Sequence, residues 1–357
     1  MVTRTKKSTV REIARVAGVS PTTASLVLNR KGQISAATRS HVLEVAATLE
    51  FTPRPSRKRP DSVKSIQFLK IAKHGNTVNR DHNHFISDYI DGMSEEASRR
   101  GYKLQVISHE LTPISTILDL LSGSGARGVI ALGTELSESD VRLIQSCALP
   151  TVFIDTFYDG IEANFVDMNN YDTVHKVLSY LKGQGFREIG FVGSDVKTEN
   201  FSLRREAFFR SVEILGLKVA KAHVLSIGST LHDAHRDSLE ALAGAKGLAQ
   251  AYFCANDVMA LGFIRALKEM GLGIPDDVAV VGFDNLPMST IVEPPLTTVD
   301  VSKRRIGGLA VGLLHDIMTA PHSSPPVKIL VGAELVVRSS AKPSRERQDK
   351  PLIALED

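Results

Sequence analysis

From residue 63 onward, short β-branched runs alternate with amphipathic stretches that end in glycine, and few folds accommodate that alternation. "SVKSIQFLKIA" reads as a strand and "FISDYIDGMSEEASRRG" as a helix with Gly101 at its C-terminal turn. "YKLQVIS", "ISTILDLL", "GVIALG", "LSESDVRLIQSC" and "PTVFID" continue the pattern. A second series opens with "YDTVHKVLSYLKGQG" and "REIGFVG" and closes with "DVAVVGFD". Helices that stop at glycine before short strands predict parallel sheets covered by helices on both faces. Two such series predict two doubly wound lobes. Ligands of these sheets bind at the carboxyl ends of the strands, which places the expected site in a cleft between the lobes.

The N-terminal segment follows a different pattern. Residues 1–60 carry twelve Lys/Arg against three Glu, a net +9, whereas the remaining 297 residues sum to −6. A basic head on a mildly acidic body is the footprint of a module that neutralises phosphates. The head also carries helix signals. Thr9 and Glu12 form a T-x-x-E capping box ahead of Val10, Ile13, Ala14 and Val16, which mark one face. Gly18 supplies a sharp turn, Ser20 an N-cap and Pro21 a first helical residue. Ala24, Val27 and Leu28 point inward, leaving Thr22, Thr23, Ser25, Leu26 and Asn29 outward. Ser35 caps a third helix with Thr38 and Arg39 in its first turn. Two short helices across a glycine turn, the second offering small polar residues, predict a helix-turn-helix with double-stranded DNA as partner.

Composition narrows the remaining classes. No apolar run approaches the roughly 20 residues of a membrane span, and "MVTRTKKSTVRE" lacks the apolar centre of a secretory signal. Cys147 and Cys254 are too few for a disulfide framework or a zinc site, so the expected location is cytoplasmic. "GSGARG" at 123–128 matches G-x-G-x-x-G but follows a helix and precedes a strand, the wrong order for a dinucleotide fingerprint. Neither a Walker loop nor G-x-S-x-G occurs. The histidine pairs in "RDHNHF" and "LHDAHRD" lack a third ligand at a known interval. No metal, no cofactor and no enzymatic activity are expected.

"TVREIARVAGVSPTTASLVLN" and "ISAATRSHVLEVAATLEFTP" resemble the DNA-binding head of the LacI/GalR family. The body is similar to that family's periplasmic-binding-protein-like effector domain over nearly its whole length. Its best matches are "PTVFID", "FCANDVMALGFIRALKEMGLGIPDDVAVVGFDN" and "EPPLTTV". The resemblance implies that Pro21, Thr22 and Leu26 face base edges. It also implies that Thr9, Ser20, Thr23, Ser25, Asn29, Thr38 and Arg39 lie along the DNA, several of them on phosphates. In the effector cleft it implies His84, Phe85, Asp155, Asn200, Arg204, Asn256 and Asp284, a set suited to a sugar, polyol or nucleobase-like ligand. Where the family has a hinge helix with a Leu wedge, this chain has "FTPRPSRKRPDS", with Pro60 in the place of that Leu. Arg54, Arg57, Lys58 and Arg59 are therefore expected to form a basic arm along the DNA.

The expected organisation is a helix-turn-helix domain at 1–50 and a basic Pro-rich linker at 51–62. An effector-binding and dimerisation domain follows at 63–341, then a polar tail at 342–357. Within the body the first lobe is expected at about 63–163 and 295–323, the second at about 164–294 and 324–341. The expected function is a homodimeric, ligand-responsive repressor of carbohydrate-utilisation genes bound to a near-palindromic operator. The alternative is a cytoplasmic solute-binding or sugar-processing protein on the same two lobes.

Overall fold

The computed structural model describes residues 9–28, 34–49, 51, 64–73, 83–245, 247–319 and 325–342. Contacts divide the chain after Val63 into two units. In the first, helices span Val10–Val16, Pro21–Leu28 and Ala36–Thr48. Their starts are set by side chains that satisfy orphan backbone donors. The Thr9 hydroxyl accepts from the Glu12 N–H, and the Glu12 carboxylate returns the bond to the Thr9 N–H. Ser20 accepts from Thr23 N–H at 3.0 Å, and Ser35 from Thr38 N–H at 3.2 Å. Gly18 turns the chain at φ +65°, where a β-carbon would be strained. Ile13, Ala14, Ala17, Ala24, Val27, Val42 and Ala46 form the core. Val16, expected on the inner face, lies half exposed because the helix ends there and turns its last residue outward.

The second unit is built on parallel sheets. Its strands are β1 (Lys64–Ala72), β2 (Tyr102–Glu110), β3 (Val129–Leu132), β4 (Thr151–Ile154), β5 (Asn164–Met168) and β6 (Ile189–Ser194). They continue with β7 (Val224–Ile227), β8 (Ala251–Cys254), β9 (Ala279–Val281), β10 (Thr298–Val301), β11 (Lys328–Val331) and β12 (Ala333–Val336). One sheet has the order β11-β5-β4-β3-β1-β2 and the other β7-β6-β8-β9, every pairing parallel. Both reverse direction beside their first strand, the doubly wound arrangement that opens a crevice at the strand ends.

β1 illustrates why the sheet sits inside. Ile66 and Phe68 face a cluster with the helices Asn83–Arg99 and Lys303–Thr319, while Leu69 and Ile71 face a second cluster with Ile114–Gly123 and Glu138–Gln145. A strand buried on both faces carries a near-continuous apolar run, and each such side chain contributes roughly 1.5–3 kcal/mol on burial.

The expected lobe boundaries require a correction. β5 and β11 were assigned to the second lobe, yet β5 pairs with β4, and β11 pairs with β5. The first sheet therefore takes its last strand from residues 328–331. Antiparallel β10 and β12 form a separate two-stranded pair.

Candidate functional site

The carboxyl ends of both sheets deliver side chains to one place. Thr134 follows β3 and Asp155 follows β4; Asp284 follows β9. Phe85 comes from the first turn of the helix after β1, and Thr198, Asn200, Phe201 and Arg204 come from the start of the helix after β6. These eight residues line one cavity of about 20 Å3, room for about one water. The lobes are closed onto one another here.

Asp155 is the centre of the first lobe's contribution. Its carboxylate accepts from Tyr89 Oη at 3.1 Å, from the Thr134 hydroxyl, and from Asn200 Nδ2 at 3.4 Å across the cleft. Burial raises its pKa, against the opposing pull of Thr134 and Arg204. Burial, reinforced by the neighbouring Asp155 charge, pushes the Tyr89 hydroxyl well above its ordinary range. Asp155 has φ 58° and Asp284 φ 114°, so both cleft carboxylates are held in backbone conformations that L-residues rarely adopt.

Arg204 is committed to the protein on every side. Nε donates to Asn170 Oδ1 at 3.0 Å, Nη1 to the Ala255 carbonyl at 2.6 Å, and Nη2 to Met168 Sδ at 3.0 Å. The guanidinium lies 3.9 Å from the centre of the Phe283 ring. Asp284 Oδ1 sits 3.8 Å from Nη2, beyond hydrogen-bond distance, and has no hydrogen-bond partner. Burial pushes the Asp284 carboxyl up to about 7, although Arg204 and Lys303 oppose the shift. Lys303 donates to the Asp284 carbonyl at 2.7 Å and so ties the Lys303–Thr319 helix to the end of β9.

Of the residues expected in the cleft, the structure brings together Phe85, Asp155, Asn200, Arg204 and Asp284. His84 is exposed on the Asn83–Arg99 helix and does not line the cavity. Asn256 is a correction of a different kind: its Oδ1 accepts the Met259 N–H at 2.8 Å and caps the Asp257–Glu269 helix. His235 pairs with Glu269 at 3.0 Å. Residues that the sequence reading did not single out include Thr134, Thr198, Phe201, Tyr89 and Lys303. A further one is Asp167, fully buried, whose carboxyl burial and the Asp155 charge push up to about 8 against the opposing pull of the Met168 N–H and Arg204. An acidic residue inside the apolar strand "NFVDM" was the available signal.

On the head, Pro21, Thr22 and Ser20 are exposed, while Thr23, Ser25, Leu26, Thr38 and Arg39 are half-buried. Thr9 is exposed at its capping box. The Ser20 hydroxyl shares a hydrogen bond with Thr23 at 2.8 Å, and Ser35 shares one with Thr38 at 2.7 Å. Asn29, Arg54, Arg57, Lys58 and Arg59 lie outside the described residues. No described helix is long and apolar enough to cross a membrane.

Comparison with known proteins follows the same division. Residues 9–54 match the profile of bacterial regulatory proteins, lacI family, and residues 178–341 match a periplasmic binding protein-like domain. The chain is 28% identical over 340 residues to the HTH-type transcriptional repressor PurR of Pasteurella multocida, covering 94% of this chain and 99% of the relative. It is 28% identical over 344 residues to PurR of Haemophilus influenzae, at the same coverage. Its fold is shared with a complex of the transcriptional regulator CelR with cellobiose (TM-score 0.69, 23% identity, 94% of this chain and 100% of that one). A lac repressor dimer bound to operator and the anti-inducer ONPF has TM-score 0.69 at 22% identity, with 94% and 99% covered. The chain thus combines the DNA-binding head of the lacI family of bacterial regulatory proteins with a periplasmic binding protein-like domain, the make-up of a ligand-responsive, DNA-binding transcriptional repressor.

Proposed function

We propose that the chain acts as a homodimer on a near-palindromic operator and that a small molecule held between the body's lobes alters its operator affinity. The observation that carries the reading is the convergence of Phe85, Asp155, Asn200, Arg204 and Asp284 at the carboxyl ends of two sheets. Carboxylates and amides accept ligand hydroxyls or N–H groups, and the Phe85 and Phe201 rings offer apolar faces. A sugar, polyol or nucleobase-like effector has that complementary chemistry, and the cellobiose bound by the fold-sharing CelR is a ligand of the same kind. Regulation of carbohydrate-utilisation genes follows from a sugar effector. Effector and operator then change each other's affinity by the same factor.

On the DNA side, exposed Thr22 and half-buried Leu26 are the proposed base readers, Leu26 through apolar contact with a thymine methyl. Ser20, Thr23, Ser25, Thr38 and Arg39 are proposed to hold phosphates. Residues 54–60 are proposed to follow phosphates or a narrow minor groove as a basic arm. Replacing Arg54, Arg57, Lys58 and Arg59 by Ala should flatten the salt dependence of operator binding, and an unchanged slope would reduce the stretch to a spacer.

The test of the cleft is a thermal-shift screen of the full chain against sugars, polyols and nucleobases, repeated on Asp284→Asn and Asp155→Asn. A stabilising compound should lose its shift in both variants and should change operator affinity in the native chain. A hit indifferent to both substitutions would place the effector elsewhere.

A further inference from the structure

The cleft lies at the carboxyl ends of the first sheet, and the amino ends carry a different chemistry. The linker from the head enters there, because β1 opens at Lys64. β1 lies between β3 and β2, so the starts of three strands stand side by side, neighbours about 4.8 Å apart. Lys103 is the second residue of β2 and pairs with Ser65. Arg127 precedes β3, and its N–H donates to the Ser65 carbonyl at 2.9 Å. The glycine-rich stretch at 123–128, which fails as a dinucleotide fingerprint, turns at Gly125 with φ +70° and delivers Arg127 to this edge. Lys64, Lys103 and Arg127 are all exposed, and none of them enters an ion pair among the described residues.

Arg99 and Arg100 add to this group where the Asn83–Arg99 helix ends. Glu96 accepts from both, and Asp316 lies 3.8 Å from Arg100. Those two arginines are partly neutralised, and cations at a helix C-terminus also offset its dipole. Neither account covers Lys64, Lys103 and Arg127, which sit at strand starts. Lysine on an edge strand discourages pairing with other chains, and that reading serves Lys103 on β2. β1 and β3 are interior strands, so it does not serve Lys64 or Arg127. Residues beyond the head sum to −6, so an unpaired cationic row here runs against the sign of the body that carries it.

We propose that Lys64, Lys103 and Arg127 form a second phosphate-binding surface, through which the first lobe's amino end contacts the double-stranded DNA held by the head. The proposal rests on DNA binding by the head and adds a contact made by the body itself. The thirteen steps from Phe51 to Lys64 span at most about 45 Å when fully extended, so a head on DNA keeps this edge near the duplex. Arg54, Arg57, Lys58 and Arg59 lead up to the row in sequence, which makes the positive charge continuous from head to sheet. The acidic remainder of the body is repelled by DNA, and that repulsion turns its one cationic edge towards the phosphates. Such contacts add affinity and fix orientation without reading bases.

The experiment measures binding of the full chain to operator and to an unrelated duplex of equal length, over about 50–200 mM salt. One variant combines Lys64→Gln, Lys103→Gln and Arg127→Gln. A control combines Lys218→Gln, Lys221→Gln and Lys342→Gln, which removes the same charge from exposed positions elsewhere on the body. In the first variant the slope of log affinity against log salt should become shallower by about 2–3, with at least about tenfold weaker binding to both duplexes. The control should match the native chain. Thermal melts establish that the variants fold; should the triple not fold, Arg127→Gln alone is read for a slope change of about 0.9. An unchanged slope in a folded variant overturns the proposal and leaves DNA binding by the head standing. An equal change in the control overturns it too, since net charge alone then accounts for the effect. A loss confined to the operator overturns the phosphate assignment. Native binding with no salt dependence removes this surface and the head's phosphate contacts together.

Discussion

Asp167, at the end of β5, concentrates the cost of this site in one side chain. Its carboxyl is held up to about 8, against an ordinary 3.8, because burial disfavours the charged form and Asp155 adds repulsion. Asp257 is likewise pushed to about 8 and Asp284 to about 7, by burial first. A raised carboxyl pKa means the folded chain holds protons that the unfolded chain has released. Stability from these groups is therefore full below about pH 4 and falls as pH rises towards 7–8. Each contributes a slope of up to about 1.4 kcal/mol per pH unit over that window. Urea unfolding of the full chain should show Asp167→Asn more stable than the native sequence at pH 8, with the gap narrowing or reversing at pH 4. A gap that widens on acidification would contradict the sign. The residue-scale reading of the sequence reached Asp155, Arg204 and Asp284 because strand-end acids and a helix-start arginine sit in quotable motifs. Asp167 and Lys303 were not legible in this way, because their meaning depends on side chains and backbone of other elements, Asp155 and Arg204 for the first and the Asp284 carbonyl for the second. Asn256 and His84 show the opposite error: the first is spent on a helix start, the second points outward.

Between elements, the closest packing joins the Asn83–Arg99 and Lys303–Thr319 helices. A β-carbon on Gly92 would lie 1.9 Å from the Arg304 carbonyl oxygen, and one on Gly307 would lie 2.2 Å from that of Tyr89. Glycine lets the two backbones touch, which in turn places Tyr89 under Asp155 and Lys303 against Asp284. Gly307→Ala should cost roughly 1–3 kcal/mol through overpacking and lower the melting temperature. Gly312→Ala on the same helix meets only side-chain ends, Arg100 at 3.5 Å and Glu96 at 4.0 Å. It should be neutral or stabilise by up to about 1 kcal/mol through helix propensity. Thermal melts of the two variants check the contrast, and equal losses would show that backbone contact is not what Gly307 provides. The same glycines explain why this helix was hard to read. Gly307, Gly308 and Gly312 interrupt "KRRIGGLAVGLLHDIMT" with weak helix formers, and tertiary contact overrides them. The short strands β10, β11 and β12 were likewise illegible, because four-residue runs carry too little periodicity. By contrast, the caps at Thr9, Ser20 and Ser35 were legible, since each is a local bond between a hydroxyl and an N–H three positions on.

Across the whole body, the lobes are fastened from both sides of the cleft, by Asn200 to Asp155 and by Lys303 to the Asp284 carbonyl. Lys303→Met keeps most of the stem's packing and removes the second tie. Hydrogen exchange should then quicken at the Asp284–Leu286 amides while the β1 and β3 amides stay protected; no change there would mean that the tie is dispensable. The sequence conveyed two lobes but misplaced their boundary, because nothing local announces that β5 pairs with β4 and so brings β11, its partner more than 150 residues on, into the first sheet. That pairing also has a consequence for the growing chain. Synthesis delivers the first lobe's strands early, yet its edge strand and the helix covering Tyr89 and Met93 come last, from residues 303–331. The lobe that begins first is finished last. A chain interrupted before residue 303 leaves the ribosome with a bare apolar face and an unpaired strand edge, so nascent fragments of the body, unlike fragments of the small head with its own core, are substrates for chaperones and proteases.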